Sequence, residues 1–307
     1  MRSEAKDDAS LLERFWQRAQ PGHVPDAVDT WHQETRELQR MGIATETALQ
    51  FLHFERPALE GFYRWLQDKR KDDPEEQAIE DVLSTDDLAF WDAHGHLVLK
   101  QAISEDDCAA ARRAIWEFLG ASPDDPASWY RPHEARYGLM LTLFDHPALE
   151  QNRRSARIRN ACRQLYGSNA IYKTIDKVSF NPPECTNFYF LGSGLHWDVS
   201  LEPPIPLRLQ GLLYLTDCGP DEGAFHCVPG FHLKLEHWLR GLAVDADPRQ
   251  EALHSLKAEA VPAAAGDFVI WHQALPHCAS PNRGSKPRLV QYLTYLPEVE
   301  TETRPWK

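Results

Sequence analysis

The sequence predicts a mainly β fold with an α-helical N-terminal part: a double-stranded β-helix (a cupin-like jelly roll) flanked by helices. Three observations predict it. From about residue 170 onward, short runs of β-branched and aromatic residues recur, separated by turn pairs such as Pro182-Pro183, Gly219-Pro220 and Pro229-Gly230. Before that point the apolar residues keep helical spacing. Finally, 42% hydrophobic residues, with ten Trp, nine Tyr and thirteen Phe, supply a core large enough for a 307-residue chain.

The elements follow in order. Residues 1–83 read as helices, with Leu11, Leu12, Phe15 and Trp16, then Phe51, Leu52, Phe62 and Trp65, at helical intervals. They carry too little apolar bulk for a core of their own. They are therefore expected to pack on a jelly-roll domain spanning 84–307. The charged run from Lys69 to Glu76 reads as a solvated connection. Ser84-Thr85-Asp86-Asp87 is a capping box for a short helix that Gly95 ends, and His96-Leu97-Val98-Leu99 reads as a strand. Ser104 caps the next helix, which runs to Leu119 with Gly120 as its stop. One further helix is expected from Pro147 to Tyr166, ended by Gly167. Strands are expected at 170–172, 177–180, 207–216, 224–228, 258–261, 268–271 and 288–296.

Charge narrows the function. A net charge of −13 makes nucleic acid and anionic membrane poor partners and leaves a small-molecule substrate as the expectation. No apolar run approaches the roughly 18 residues of a membrane span. The opening MRSEAKDDAS lacks the apolar stretch of a signal peptide. The six cysteines are scattered without a CxxC pair, which fits reduced thiols and a cytoplasmic location. The sequence carries no signal for an oligomeric state.

The chemistry starts from fourteen histidines. Three His-x-Asp/Glu pairs occur, at His32, His53 and His196, where chance alone gives about two. The first two lie in helical stretches, where positions i and i+2 point apart. His196 and Asp198 enter the β region, where i and i+2 share a face and can converge on one ion. His277, just beyond the strand ending at Trp271, is the candidate third ligand. Two histidines and one carboxylate on one face of an ion form the triad of non-haem Fe(II) oxygenases, and zinc accepts the same set.

Arg288 lies eleven residues after His277 across a hairpin-like segment, Pro281 to Pro287, which is expected to return it beside the strand carrying His277. A guanidinium there can hold a carboxylate bidentately. Strand alternation puts Gln210 and Tyr214 on one face, with Tyr292 on the face of Arg288.

The C-terminal two thirds resembles the phytanoyl-CoA dioxygenase family of Fe(II)/2-oxoglutarate-dependent oxygenases. The resemblance rests on His196-Trp197-Asp198, on Asp221 to His232, on Gly266-Asp267-Phe268-Val269-Ile270-Trp271 and on the interval from His277 to Arg288, with Asp86 to Leu99 as the matching opening helix and strand. It spans about residues 84–298. It implies that His196, Asp198 and His277 bind Fe(II), and that Arg288 anchors 2-oxoglutarate. It further implies that O2 is consumed as 2-oxoglutarate is decarboxylated to succinate, with hydroxylation of an unactivated C–H bond.

Gln210 and Tyr214 are candidates to hydrogen-bond the cosubstrate. Lys177 is a candidate basic contact, because Asn181 stands before Pro182-Pro183 where the family often has Lys. For the substrate, expected to be a small carboxylate-bearing metabolite or natural-product intermediate, the candidates are Arg131 and Arg136 for an anionic group. Phe188, Trp197 and Tyr292 are candidates for the pocket wall. Two other readings use the same residues: a zinc-dependent hydrolase, which leaves Arg288 without a role, and a non-catalytic binding member of the fold.

Overall fold

A computed structural model describes residues 4–22, 30–71 and 78–298. Ten helices and twelve strands run along these residues. The N-terminal part holds α1 (Glu4–Arg18), α2 (Trp31–Arg40), α3 (Thr45–Glu55) and α4 (Leu59–Lys69). Next come α5 (Thr85–His94), β1 (His96–Leu99), α6 (Glu105–Leu119), β2 (Arg136–Tyr137), β3 (Met140–Leu141), α7 (Pro147–Arg153) and α8 (Ala156–Tyr166). The β-rich part holds β4 (Ile171–Lys173), β5 (Val178–Asn181), β6 (Leu209–Tyr214), β7 (Phe225–Cys227), α9 (Leu235–Gly241), α10 (Pro248–Ser255) and β8 (Glu259–Val261). It closes with β9 (Phe268–His272), β10 (His277–Cys278), β11 (Arg288–Tyr292) and β12 (Tyr295–Pro297).

A seven-stranded antiparallel sheet in the order β1-β9-β6-β11-β5-β3-β2 forms the centre. Its central strands are buried on both faces, and period-two alternation sorts them. Leu209, Leu213, Phe268, Ile270 and Leu289 pack with Ile115 of α6, Leu149 of α7 and Ile158 of α8. Leu212, Tyr214, Val269, Trp271 and Val290 face the other way and share a second cluster with Phe225, Cys227 and Val261. Those last three belong to a three-stranded sheet, β10-β7-β8. Gly211 allows the close approach at the centre: a Cβ there would stand 2.2 Å from Phe268 Cζ and 2.7 Å from the Leu293 carbonyl oxygen.

The caps read from sequence are present. Ser84 and Asp87 exchange the reciprocal bonds of a capping box, and Gly95 closes α5 at φ 70°. Ser104 accepts from the Asp107 amide, and Gly120 ends α6 in the left-handed region. Two expectations need correction. The span Pro147 to Tyr166 is two helices, because Ser155 takes the Ile158 amide and starts a new helix. The run 288–296 is two strands. Thr294 breaks it by exchanging bonds with Thr174, which sends β12 to pair with β4 in a separate two-stranded sheet. The β2–β3 hairpin and helices α9 and α10 carry no pattern that the sequence reading picked up.

The N-terminal helices bury Phe15, Leu38, Leu52, Phe62 and Leu66 among themselves. They also meet the rest of the chain. Arg36 Nη1 donates to the Glu298 carbonyl at 2.9 Å, Arg40 pairs with the Glu298 carboxylate, and Ala44 is buried with Phe144 and Ile175. Of the helical span expected over 1–83, helices form at Glu4–Arg18, Trp31–Arg40, Thr45–Glu55 and Leu59–Lys69, whereas 78–83 form none; positions 1–3, 23–29 and 72–77 lie outside the described residues.

Candidate active site

His196 sits at an isolated bridge to His277, not on a regular strand. Their backbones exchange two hydrogen bonds, 3.0 Å and 2.9 Å, which bring the two rings to 4.6 Å between centroids. Asp198 completes the group. His277 Nε2 lies 3.2 Å from Asp198 Oδ2, and His196 Nε2 lies 3.6 Å from Asp198 Oδ1. One ligand atom from each residue falls within 4.8 Å of the others.

The tautomers suit a metal. His196 Nδ1 is 2.8 Å from the Gly194 carbonyl, and His277 Nδ1 is 3.1 Å from the Leu275 carbonyl. Each carbonyl takes the Nδ1 proton and leaves the Nε2 lone pair facing Asp198, the arrangement of a ligating imidazole. Asp198 is itself steered: Trp271 Nε1 donates to Gln210 Oε1 at 2.9 Å, and Gln210 Nε2 donates to Asp198 Oδ2 at 2.8 Å. Burial pushes the Asp198 carboxyl up, but the hydrogen bond and charge of His277, with the Gln210 bond, outweigh it. They hold the carboxyl well below the usual range. Burial and the adjacent His277 ring push the His196 imidazole down, towards its neutral, ligating form. The donor set therefore fits a divalent iron.

Arg288 is 2% exposed, and its Nε and Nη1 have no hydrogen-bond partner among the described residues. A buried, incompletely bonded guanidinium is costly, so it calls for an anion. Its guanidinium carbon lies 5.8 Å from the Tyr214 ring centroid. Across the β5–β11 pairing it faces Asn181, whose Oδ1 is buried and unpartnered, as is Ser179 Oγ two residues earlier on the same face. A cosubstrate with carboxylate ends fits the Arg288 guanidinium. Ser179 and Asn181 are not in the cavity lining and adjoin the site only through the β5–β11 pairing with Arg288.

A cavity of about 820 Å³ joins the parts. The triad, Arg288, Gln210, Lys177 and Tyr292 all line it. The hairpin expectation for Arg288 is corrected. His277 pairs with β7 in the small sheet and Arg288 with Asn181 of β5 in the large one, so the two residues reach the cavity from different sheets. Tyr214 is turned away from the expected role: its hydroxyl donates to the Val261 carbonyl and accepts the Phe225 amide, outside the cavity lining. Lys177 lies 3.9 Å from both Glu46 and Asp176, so its charge is already matched.

The substrate candidates fare unevenly. Tyr292 is in place. Trp197 is 1% exposed in the core, its indole N–H given to the Ala274 carbonyl, because alternation between two ligands points it the other way. Arg131 is exposed and paired with Asp125 at 3.3 Å. Arg136 bonds the Gly138 and Trp129 carbonyls and lies over the rings of Phe180 and Phe188, at 5.1 Å and 5.3 Å. Phe188 packs against it and Tyr130, while the next stretch of the same loop, Leu191-Gly192-Ser193, reaches the cavity. Trp197, Arg131, Arg136 and Phe188 are therefore not cavity residues.

Sheet, triad and the buried Arg288 together define a candidate site for a metal ion and an anionic ligand. The family profile described as phytanoyl-CoA dioxygenase (PhyH) matches residues 91–290, and the chain belongs to this Fe(II)/2-oxoglutarate-dependent family. A Dictyostelium discoideum protein named for the same family is 20% identical over 261 residues, covering 68% of this chain and 74% of its own.

Among solved structures, the non-haem α-ketoglutarate-dependent carbocyclase SnoK from nogalamycin biosynthesis is 22% identical. It covers 70% of this chain and 85% of its own, with a TM-score of 0.52. AviO1 from Streptomyces viridochromogenes Tue57 is 18% identical and covers 76% of this chain and 100% of its own, at 0.51. HygX from Streptomyces hygroscopicus, solved with nickel, 2-oxoglutarate and hygromycin B, is 16% identical. It covers 70% of this chain and 88% of its own, at 0.50. These likenesses establish the shared fold. No helix among the described residues is long and apolar enough to cross a membrane.

Proposed function

We propose that this protein is an Fe(II)/2-oxoglutarate-dependent dioxygenase that hydroxylates an unactivated C–H bond of a small natural-product-type molecule. The two sheets are read as the halves of a double-stranded β-helix, with the metal and cosubstrate held between them. The observation that carries the reading is the buried Arg288 with unpartnered N–H groups, in one cavity with two histidines and a carboxylate. A zinc hydrolase has no use for that guanidinium.

His196, Asp198 and His277 would hold iron, and Gln210 would aim the Asp198 carboxylate. Arg288 would bind the distal carboxylate of 2-oxoglutarate. Bound together, iron and 2-oxoglutarate supply O2 activation, with succinate and CO2 as co-products. The chain's own share is to fix both and to present one C–H bond from the rest of the cavity.

The carboxylate expected on the substrate depended on Arg131 and Arg136. With both outside the cavity, the substrate is better defined by the lining itself. The relatives acting in nogalamycin biosynthesis or binding hygromycin B support a natural-product substrate. A cytoplasmic location is consistent with six free cysteines. The test is succinate release from 2-oxoglutarate with Fe(II), with and without a metabolite library. Stimulation by a library member identifies the substrate class, and absence of any Fe(II)-dependent succinate overturns the proposal.

A further inference from the structure

Helices α2 and α3 precede the stretch matched by the family, yet they close the cavity that holds the metal ligands. Trp31, Thr35 and Gln39 of α2 and Thr45 and Glu46 of α3 line it. This wall is anchored. Arg36 and Arg40 bind Glu298 beyond β12, and Trp31 stacks on Phe15 with ring centroids 5.7 Å apart.

The chemistry of the wall is polar but balanced. Gln39 Oε1 is buried with no hydrogen-bond partner among the described residues, an acceptor that lacks a donor. Lys177 stands between Glu46 and Asp176, so it offers no surplus positive charge. Glu46 already meets the positive end of α3. Apart from Arg288, the remaining cationic side chain of the described lining is Arg208, which has contacts of its own. A phosphate-bearing carrier would need clustered, available Lys or Arg. Hydroxyl donors need only acceptors and a flat apolar face. The volume, about 820 Å³, is that of a site for a small molecule of a few rings beside the cosubstrate.

We propose that α2 and α3 form the distal half of the substrate site and read a neutral, polyhydroxylated molecule such as a glycoside. Its hydroxyls donate to Gln39 and Glu46, and a ring face lies on Trp31. This deepens the oxygenase reading and rests on it.

The test uses the full chain loaded with Mn(II) and 2-oxoglutarate, so that binding is read without turnover. Arbutin, salicin and sucrose form one arm; palmitate and palmitoyl-CoA form the other. Thermal stabilisation and calorimetric affinity are measured for each. The expected result is binding within the glycoside arm and none by palmitoyl-CoA. Q39L and E46A should each weaken glycoside binding about tenfold, the loss of one well-placed hydrogen bond, with 2-oxoglutarate affinity retained. Melting of each variant without ligand verifies that it is folded. The proposal is overturned by an arm in which no glycoside binds, by binding of palmitate or palmitoyl-CoA instead, or by glycoside affinity that survives both substitutions. Failure of the oxygenase reading shows separately, as 2-oxoglutarate binding that does not depend on the metal.

Discussion

Replacing Arg288 by Ala isolates the cosubstrate contact. The guanidinium is 2% exposed, and two of its nitrogens have no hydrogen-bond partner among the described residues. A carboxylate meeting it there forms a desolvated, charge-assisted pair, and truncating one partner of such a pair costs about 2–5 kcal/mol. At roughly 1.4 kcal/mol per tenfold, the KM for 2-oxoglutarate should rise about thirtyfold at the low end and over a thousandfold at the high end. Fe(II) affinity should hold, because the ligand His277 belongs to the other sheet. Without cosubstrate, the variant should melt no lower than the parent, since it sheds a buried charge that lacks a full set of partners. Arg288→Lys should recover part of the affinity, as a point charge lacks the planar fork. The assay is succinate release at varied 2-oxoglutarate, with calorimetry on the Mn(II) form. An unchanged KM in a folded Arg288→Ala protein, with a lower melting temperature, would show that Arg288 only supports the strand and would refute the reasoning.

Further outcomes follow from other contacts. Gly223 has φ 84°, and an added Cβ would stand 2.5 Å from Asn181 Nδ2 and 3.3 Å from Arg288 Cδ. Gly223→Ala should cost about 1–3 kcal/mol of stability and raise the KM for 2-oxoglutarate, read by melting and kinetics together. Burial, then the neighbouring His232, pushes His272 down to about 4, and its Nδ1 accepts the Ala274 amide. The unfolded chain takes up that proton near pH 6.5 and the folded one only near 4. Stability should therefore fall as pH drops through this window, by on the order of 2–3 kcal/mol, and His272→Asn should flatten the fall in denaturant titrations. The N-terminal helices should melt with the rest in one transition; a separate calorimetric transition would mark 1–83 as an independent domain.

Much of the site was legible because its signals are local. Period-two spacing paired His196 with Asp198, although the segment forms only a bridge, and capping residues marked α5 and α6. The same alternation puts Trp197 in the core, a consequence that follows from the motif itself. What the sequence concealed is long-range. Alternation placed Tyr214 on the correct face but said nothing of where its hydroxyl ends, which is on the backbone of β7 and β8. Nothing local distinguishes Phe188, which packs against Tyr130 and Arg136, from Leu191, which lines the cavity. Helix α2 is tied to Glu298, more than 250 residues away, through Arg36 and Arg40, and no motif reports a contact of that kind.

The central claim is tested most directly by succinate formation from 2-oxoglutarate under O2, compared across Fe(II), Zn(II) and no metal, in the parent chain and in His277→Ala. Succinate should form with Fe(II) alone, and both turnover and tight Fe(II) binding should be lost when one of three ligands is removed. Equal succinate formation in His277→Ala, or hydrolytic activity with Zn(II) and no succinate with Fe(II), would contradict the claim.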